Sequence, residues 1–404
     1  MDNYRNYFTI TSQLYFCSSP IRLDTYNQCQ FGCVYCFSRN RMGDHTSKAV
    51  KTASHSAFEK RLCRVFQGNI NSGLDEFIAR RVPIQLGGLH DPFTAQEFTS
   101  QTTLNILRIL RDFQYPTLIS TKGRLFMAPE YSDVLKAMNV HIRLSAAGIS
   151  EINRKRIDIG CDPFDETCNK IKFIKNLGLS TSLRIQPVIP GFEKDALRMT
   201  QQAAACGVSH VSYEYLKVAA ESKERELKRL ATETRVDIWK IMTTLGITKI
   251  GRDYTLKREA KLQFLNSAKK LCIELGIRFG AGDTEFIHLS DGAGCCNSSE
   301  FFLNNSNQFR ANFVGVLSSK KSNAKIRFDD LYREWIPEMN IHRYLTTNSR
   351  SRDLRKGLSS LLSLLAYRWN GEKGPYSPTF FHGVDWKGDY DNEGFKIYEF
   401  NSPW

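Results

Sequence analysis

The sequence predicts an α/β protein: a β/α barrel or partial barrel first, then a helical extension, then a C-terminal α+β region. Two observations predict this. Between residues 82 and 215, short apolar runs alternate with stretches of helical periodicity, the order expected of parallel strands joined by crossover helices. From about residue 217 the chain becomes rich in Lys, Arg and Glu, and from about 300 aromatic and polar. The implied units are 1–217 (barrel core), 218–299 (helical extension and a cysteine-containing loop) and 300–404 (C-terminal region, with a role in substrate recognition).

The elements follow in order. Val82–Gly87 is a short apolar run ended by glycines. Over 99–113, Leu104, Ile106, Leu107, Ile109 and Leu110 fit a helix face. Tyr115–Ser120 reads as a strand, 129–138 as a short helix, and Val140–Ser145 as a strand. A helix over 163–177 stops at Gly178. Leu183–Ile189 is a strand, Asp195–Cys206 a helix, and Val208–Tyr215 another strand. Helices are expected from about 221 to 245 and from 257 to 275, and an irregular stretch over 277–299. The C-terminal region carries an apolar segment, Leu358–Trp369, and a glycine-rich run over 370–394. In β/α barrels, function lies at the C-terminal ends of the strands.

Three cysteines sit within eight residues, Cys29-Gln-Phe-Gly-Cys33-Val-Tyr-Cys36, spaced C-x3-C-x2-C. Three thiolates on one short loop suit three irons of a [4Fe-4S] cube, which leaves the fourth iron open. Gly32 eases the turn. The alternative is a zinc site with His45 or a distant cysteine as fourth ligand. Zinc sites usually come as paired C-x2-C or Cys2His2 sets, and there is no second C-x2-C here.

This motif resembles that of the radical S-adenosylmethionine (SAM) superfamily. Its context, Asn27 through Arg39, is most similar to the spore photoproduct lyase-like branch. Gln85-Leu-Gly-Gly-Leu-His-Asp-Pro-Phe, Leu118-Ile-Ser-Thr-Lys122, Val140-His-Ile-Arg-Leu-Ser145 and Arg184-Ile-Gln-Pro-Val-Ile-Pro-Gly191 resemble that branch's second to fifth strands. The resemblance covers roughly residues 20–217, with a weaker continuation to about 296. It implies a partial (β/α)6 barrel holding a [4Fe-4S] cluster on Cys29, Cys33 and Cys36. It also implies S-adenosyl-L-methionine bound through its amino and carboxylate groups, reductive cleavage to a 5′-deoxyadenosyl radical, and an electron donor such as flavodoxin or ferredoxin. Carried over residue by residue, Gly87 and Gly88 let the methionine part approach the backbone. Lys122 pairs with the carboxylate, and Ser145 bonds ribose or carboxylate. Arg184 and Gln186 are further contacts, or else a buried polar pair. Tyr35 and Phe37 flank the last thiolate and offer adenine a flat apolar wall.

His90 and Asp91, just beyond the second strand, are candidates for the substrate pocket, with Glu214, Asp283 and His288 behind them; Asp-Pro also makes turns. The branch would call for a cysteine hydrogen donor near the end of strand two, and none stands in Leu86-Gly87-Gly88-Leu89-His90. Cys295 and Cys296, in a glycine- and asparagine-flanked loop, are the alternative source of a catalytic thiol, or a pair of small buried residues.

Composition bounds the partners. Lys and Arg number 56 against 42 Asp and Glu, for a net charge of +14. This excess suits nucleic acid. Basic segments include Arg39 and Arg41, Lys48 and Lys51, Lys60–Arg64, Lys223–Arg229 and Arg350–Lys356. Tyr344, Tyr367, Trp369, Tyr376, Phe380, Phe381 and Trp386 interleave aromatics, a pattern suited to flipped or single-stranded bases, and equally to a core. The expected chemistry is radical modification or repair of nucleic acid, DNA ahead of RNA, with a peptide, protein or small-molecule substrate as the alternative. No apolar run reaches the ~18 residues of a membrane span, and the N-terminus lacks a signal pattern, so a cytoplasmic protein is expected. Eleven cysteines in such a chain read as metal-binding or catalytic rather than as disulfides.

Overall fold

The computed structural model describes residues 4–36, 38, 49–345, 357–358, 360–371 and 377–402. Its main sheet begins with β1 (Phe8–Ile10), antiparallel to β2 (Ile21–Leu23). Parallel strands follow: β3 (Ile84–Leu86), β4 (Thr117–Thr121), β5 (Val140–Gly148), β6 (Thr181–Val188) and β7 (His210–Tyr215). These supply the six parallel strands β2–β7 of the expected partial barrel.

The strands alternate, and the alternation decides what faces inward. Ile21, Ile84, Ile119, Ile142, Leu144, Leu183, Ile185 and Val211 turn outward into a continuous apolar core. The intervening Arg22, Gln85, Ser120, Arg143, Ser145, Arg184 and Glu214 line the barrel interior. Residues i and i+2 share a face in a strand, so Arg143 and Ser145 point the same way. The helix Thr102–Asp112 packs through Leu104, Leu107 and Leu110 on one stripe. The helix Phe164–Asn176 ends as expected, with Gly178 at φ +77°.

The structure corrects several sequence expectations. The helix expected over 99–113 is two, Glu97–Ser100 and Thr102–Asp112, divided at Gln101 with φ +47°. The helix expected over 221–245 is also two, Lys223–Thr234 and Ile238–Leu245. Arg235 turns left-handed between them, and the Asp237 side chain caps the second by accepting from Lys240 N. Around these helices lies a small antiparallel sheet of β8 (Val218–Ala219), β9 (Ile247–Ile250) and β10 (Asp253–Leu256), in the order β8-β10-β9.

The stretch 277–299, expected to be irregular, contains β11 (Arg278–Ala281), which pairs parallel to β7 and makes a seventh parallel strand. Four residues with two glycines nearby carry too little periodicity to announce a strand. Beyond β11 the chain bridges from that edge of the sheet to the β1–β2 connection. Asp291 N and Asn297 Nδ2 donate to Phe279 O, and Cys296 Sγ lies 3.9 Å from Ser19 Oγ. A side chain at Gly280 would meet Cys295 O at 2.5 Å, and one at Gly294 would meet Ser18 Oγ at 2.4 Å. Glycine is therefore what lets this segment lie against both edges. At its end, Phe302 stacks on the His141 ring at 4.4 Å, over a polar floor in which His141 and His210 both bond Ser182 Oγ.

The C-terminal region is α+β. Strands β12 (Ala324–Ile326), β13 (Val384–Tyr390) and β14 (Lys396–Phe400) form an antiparallel sheet in the order β12-β14-β13. The helix Leu361–Trp369 is capped by the Ser360 side chain. Trp369 is 1% exposed, with the rings of Phe313, Phe328 and Tyr398 at 5.4–5.9 Å. Phe381 is also fully buried. These two aromatics are core, not a base-stacking surface, whereas Tyr367 and Trp386 are exposed. Tyr376 and the basic Arg39, Arg41, Lys48, Arg350, Arg352, Arg355 and Lys356 lie outside the described residues. No helix among the described residues is long and apolar enough to cross a membrane.

Candidate active site

At the C-terminal ends of the parallel strands opens a cavity of about 400 Å³. The cysteine loop after β2, the Gly-Gly turn after β3, Lys122 after β4, Ser145 on β5 and Arg184 and Gln186 on β6 all line it. So do His90, Asp91, Glu214, Cys295 and Cys296. Phe37 lies outside the described residues. Asp283 and His288 are buried elsewhere. Asp283 is paired with Lys261 at 2.8 Å, and His288 bonds His382 O between the rings of Phe381 and Phe400.

The cysteine loop turns at Gly32, with φ +66°, and is tied to the barrel by Val34 N donating to Ile157 O at 2.8 Å. Cys33 is buried; Cys29 and Cys36 are half-buried. Burial, with help from Asp91, pushes the Cys29 thiol up to about 12. The Cys33 thiol is held below its ordinary value, chiefly by a hydrogen bond from Cys161 that outweighs burial, with Lys122 adding to the effect. A single zinc ion, with Zn–S bonds of about 2.3 Å in a tetrahedron, needs its thiolates within roughly 4 Å of one another. The three loop cysteines are not gathered so closely; the compact group is Cys33 with Asp158 and Cys161. Asp158 is no vacant ligand, because its oxygens already accept from Tyr35 Oη, Lys122 Nζ and Ala147 N. A cube puts each thiolate on a different iron at a different corner, so the open loop fits a cluster better than one ion.

Beside the loop sits a closed set of charges. Lys122 Nζ donates to Asp158 Oδ1 at 3.1 Å, to Tyr35 Oη at 3.0 Å and to Ser145 O at 3.2 Å. Burial, the largest influence, would lower the Lys122 pKa, but Asp158 together with the Cys33 and Cys161 sulfurs outweighs it and raises the value. Burial would raise the Asp158 carboxyl, yet Lys122 and the Tyr35 hydroxyl bring it below the ordinary range. The Tyr35 hydroxyl is thus fixed on Asp158, and the Lys122 ammonium lies 5.6 Å from the centre of its ring. Asp91 accepts from Phe93 N (2.9 Å), Thr121 Oγ1 (2.8 Å) and Lys122 N (2.6 Å), so its carboxylate pins the end of β4 to the turn after β3. His90 N donates to Asp24 Oδ1 at 3.2 Å.

Gly87 has φ +82°, and a Cβ there would stand 2.4 Å from Ser120 O. Only glycine fits this turn. A Cβ on Gly88 would meet Arg22 Cδ at 2.7 Å, so this second glycine makes room for an arginine.

That arginine begins a basic row. Arg22 donates to Ser19 O at 2.7 Å and reaches Cys17 Sγ at 3.6 Å. Arg143, 3% exposed, donates to Ser120 Oγ at 2.8 Å and to Gln85 Oε1 at 3.5 Å. Arg184 pairs with Glu214 at 2.9 Å, and Glu214 is shared with Lys217 at 2.6 Å. Gln186 lies two residues further along β6. Burial, and then the neighbouring Arg184, lower the Arg143 pKa to about 10. Cys295 and Cys296 are within electrostatic reach of Arg143. Burial, with the neighbouring Cys296, pushes the Cys295 thiol up to about 12, so it stays protonated at neutral pH.

Sequence reasoning missed Arg22, Arg143, Asp158, Cys161 and Cys17. For Arg143 the signal was present, since it stands at i−2 from Ser145 on a strand. Asp158 and Cys161 follow a helix with no motif around them.

No protein-family model matches the chain, and no curated protein matches it. Solved structures do. Spore photoproduct lyase complexed with dinucleoside spore photoproduct is similar with a TM-score of 0.52 and 14% identity, over 68% of this chain and 78% of that one. A variant of the same lyase with bound AdoMet and dinucleoside spore photoproduct gives a TM-score of 0.50 and 13% identity, over 65% and 77%. SuiB of Streptococcus suis bound to S-adenosylmethionine gives 0.43 and 10%, over 70% and 56%. The two lyase structures establish the fold: the chain carries the partial barrel that the resemblance to the radical SAM superfamily implies.

Proposed function

We propose that the protein is a radical SAM enzyme acting on nucleic acid. One observation carries the first part of this reading. Cysteines, glycines, Lys122, Ser145 and Arg184 come from five separate chain segments, and all line one cavity at the functional end of a barrel of the right type. Cys29, Cys33 and Cys36 would hold a [4Fe-4S] cluster. Such a cluster, when reduced by an external donor such as flavodoxin or ferredoxin, supplies the electron that cleaves bound SAM to a 5′-deoxyadenosyl radical.

The chain's own residues position and enclose this chemistry. Gly87 permits the tight turn beside the loop, and Gly88 leaves room for the Arg22 stem. Lys122, held by Asp158 and Ser145 O, presents a fixed positive charge next to the thiols. The Cys295 thiol, protonated and facing the same cavity, offers a hydrogen atom in the role that the strand-two cysteine would fill in the lyase-like branch.

Support for nucleic acid is the net charge of +14, together with a fold shared with a lyase that was solved with a dinucleoside photoproduct. A base inside a duplex would have to leave the stack to enter the cavity. The test is anaerobic 5′-deoxyadenosine formation by reconstituted, dithionite-reduced protein with no substrate, undamaged DNA, ultraviolet-irradiated DNA and RNA. Stimulation by one nucleic acid is the expected result. Equal slow turnover in every tube would move the substrate to the peptide, protein or small-molecule class, and no turnover at all would end the radical SAM reading.

A further inference from the structure

The basic row on β2, β5 and β6 is unlike the rest of the interior. Among the described residues, Arg143 has only neutral partners, Ser120 Oγ and Gln85 Oε1. Arg22 likewise bonds two carbonyls and a thiol. The carboxylate hydrogen-bonded to this row, Glu214, is already divided between Arg184 and Lys217. The adjacent Cys295 thiol is neutral and supplies no negative charge. A guanidinium buried as deeply as Arg143 is strongly disfavoured unless an anion meets it, and here a second guanidinium shares the space. Both side chains line the cavity, where a ligand can reach them. Planar guanidinium forks are built to grip two oxygens of one group.

We infer that Arg22 and Arg143 form an oxyanion subsite, which binds a phosphoryl or carboxylate group of the substrate inside the barrel, next to the Cys295 thiol. Gly88 belongs to the subsite, because its missing side chain is where the Arg22 stem lies. This inference rests on the reading of the cavity as the place where substrate meets SAM.

The experiment is a binding measurement on the full chain, without reductant, in the presence and absence of SAM. The probes are inorganic phosphate, a nucleoside 5′-monophosphate, the parent nucleoside and malonate. Thermal shift and titration calorimetry supply the readouts. Phosphate or malonate is expected to raise the melting temperature, and the stronger of the two identifies the anion. The monophosphate should bind and the nucleoside should not. Arg143→Gln and Arg22→Gln should each weaken the anion about tenfold or more, the worth of a lost charged hydrogen-bond pair.

A second measurement needs no variant. Phosphate or malonate should slow alkylation of half-buried Cys295 in the wild-type chain and leave exposed Cys63 unaffected. Absence of any anion effect on both readouts, or equal binding in both variants, overturns the inference. So does mutual exclusion of phosphate and SAM, which would make the subsite part of the SAM pocket. The two readings fail separately. Intact 5′-deoxyadenosine formation without anion binding sinks only the subsite. Intact anion binding without SAM cleavage sinks only the radical SAM function.

Discussion

Two sides of one cavity treat charge in opposite ways. Around the cysteine loop, Asp158 meets Lys122 at 3.1 Å and Arg154 at 3.8 Å, Arg154 is shared with Glu151, and Tyr35, Ser145 and Ala147 add neutral hydrogen bonds. Elsewhere in the same cavity, Arg22 and Arg143 face only neutral partners. Arg143 and Asp158 are buried, and Arg22 and Lys122 are partly so. The first set is complete without a ligand and serves to hold geometry. The second has no counter-ion among the described residues. Under the proposed function, the first set holds the geometry around the cofactor and the second receives the substrate anion.

The largest effect lies on the complete side. Cys33→Ala should abolish 5′-deoxyadenosine formation in reconstituted protein, since a loop with two thiolates cannot hold a cube of this kind. Turnover persisting near the wild-type rate would show that the loop does not carry the cofactor.

Stability gives the sharpest contrast. Asp158→Asn strands Lys122 and should cost about 3 kcal/mol or more, as removal of one member of a buried pair does. Arg143→Met removes a charge with no counter-ion, and unliganded stability should stay within ~1 kcal/mol of wild type or rise. Urea unfolding of both variants checks the pair. If Arg143→Met proves as damaging as Asp158→Asn, the two sides are alike and the contrast fails.

The floor beneath both sides responds to acid. Burial, then repulsion from Arg143, lowers the His210 pKa to about 3 from its ordinary 6.5. His141 is pushed well below its ordinary value by burial first and His210 second. A base with a depressed folded pKa leaves the unfolded chain holding more protons, so stability falls as pH drops from about 6.5 toward 3. The slope should approach ~1.4 kcal/mol per pH unit for each histidine. His210→Gln should remove one histidine's share; an unchanged slope would show that His210 titrates freely.

The smallest effects come from the adjacent glycines, and they should differ. Gly87→Ala forces a Cβ onto Ser120 O in a left-handed turn and should cost about 1–3 kcal/mol. Gly88→Ala meets only the flexible stem of Arg22, so stability should change by ~1 kcal/mol or less, while phosphate affinity falls. Equal thermal shifts for the two variants would mean that Gly88 holds the turn rather than making room for Arg22.

The sequence by itself determined the local features. Alternation of apolar runs with helical stretches placed β3 to β7 to within a few residues, because strands buried on both faces read as short apolar runs between helices. The cysteine spacing marked the loop after β2, and Gly87 and Lys122 could be assigned to strand ends because each follows its strand directly; Ser145, expected at a strand end, lies inside β5, which runs on to Gly148. Only the tertiary structure decided what meets across the barrel. Asp158 reaches Lys122 from 36 residues away, and β11 lacked the length to show itself. The segment carrying Cys295 enters the cavity because Gly280 and Gly294 let it lie against both edges of the sheet. Trp369 and Phe381 became core because a separate sheet closed over them. Arg22 and Arg143 looked ordinary in a basic chain. Their lack of a counter-ion is a property of three dimensions, since a charge is unpaired only relative to everything folded around it.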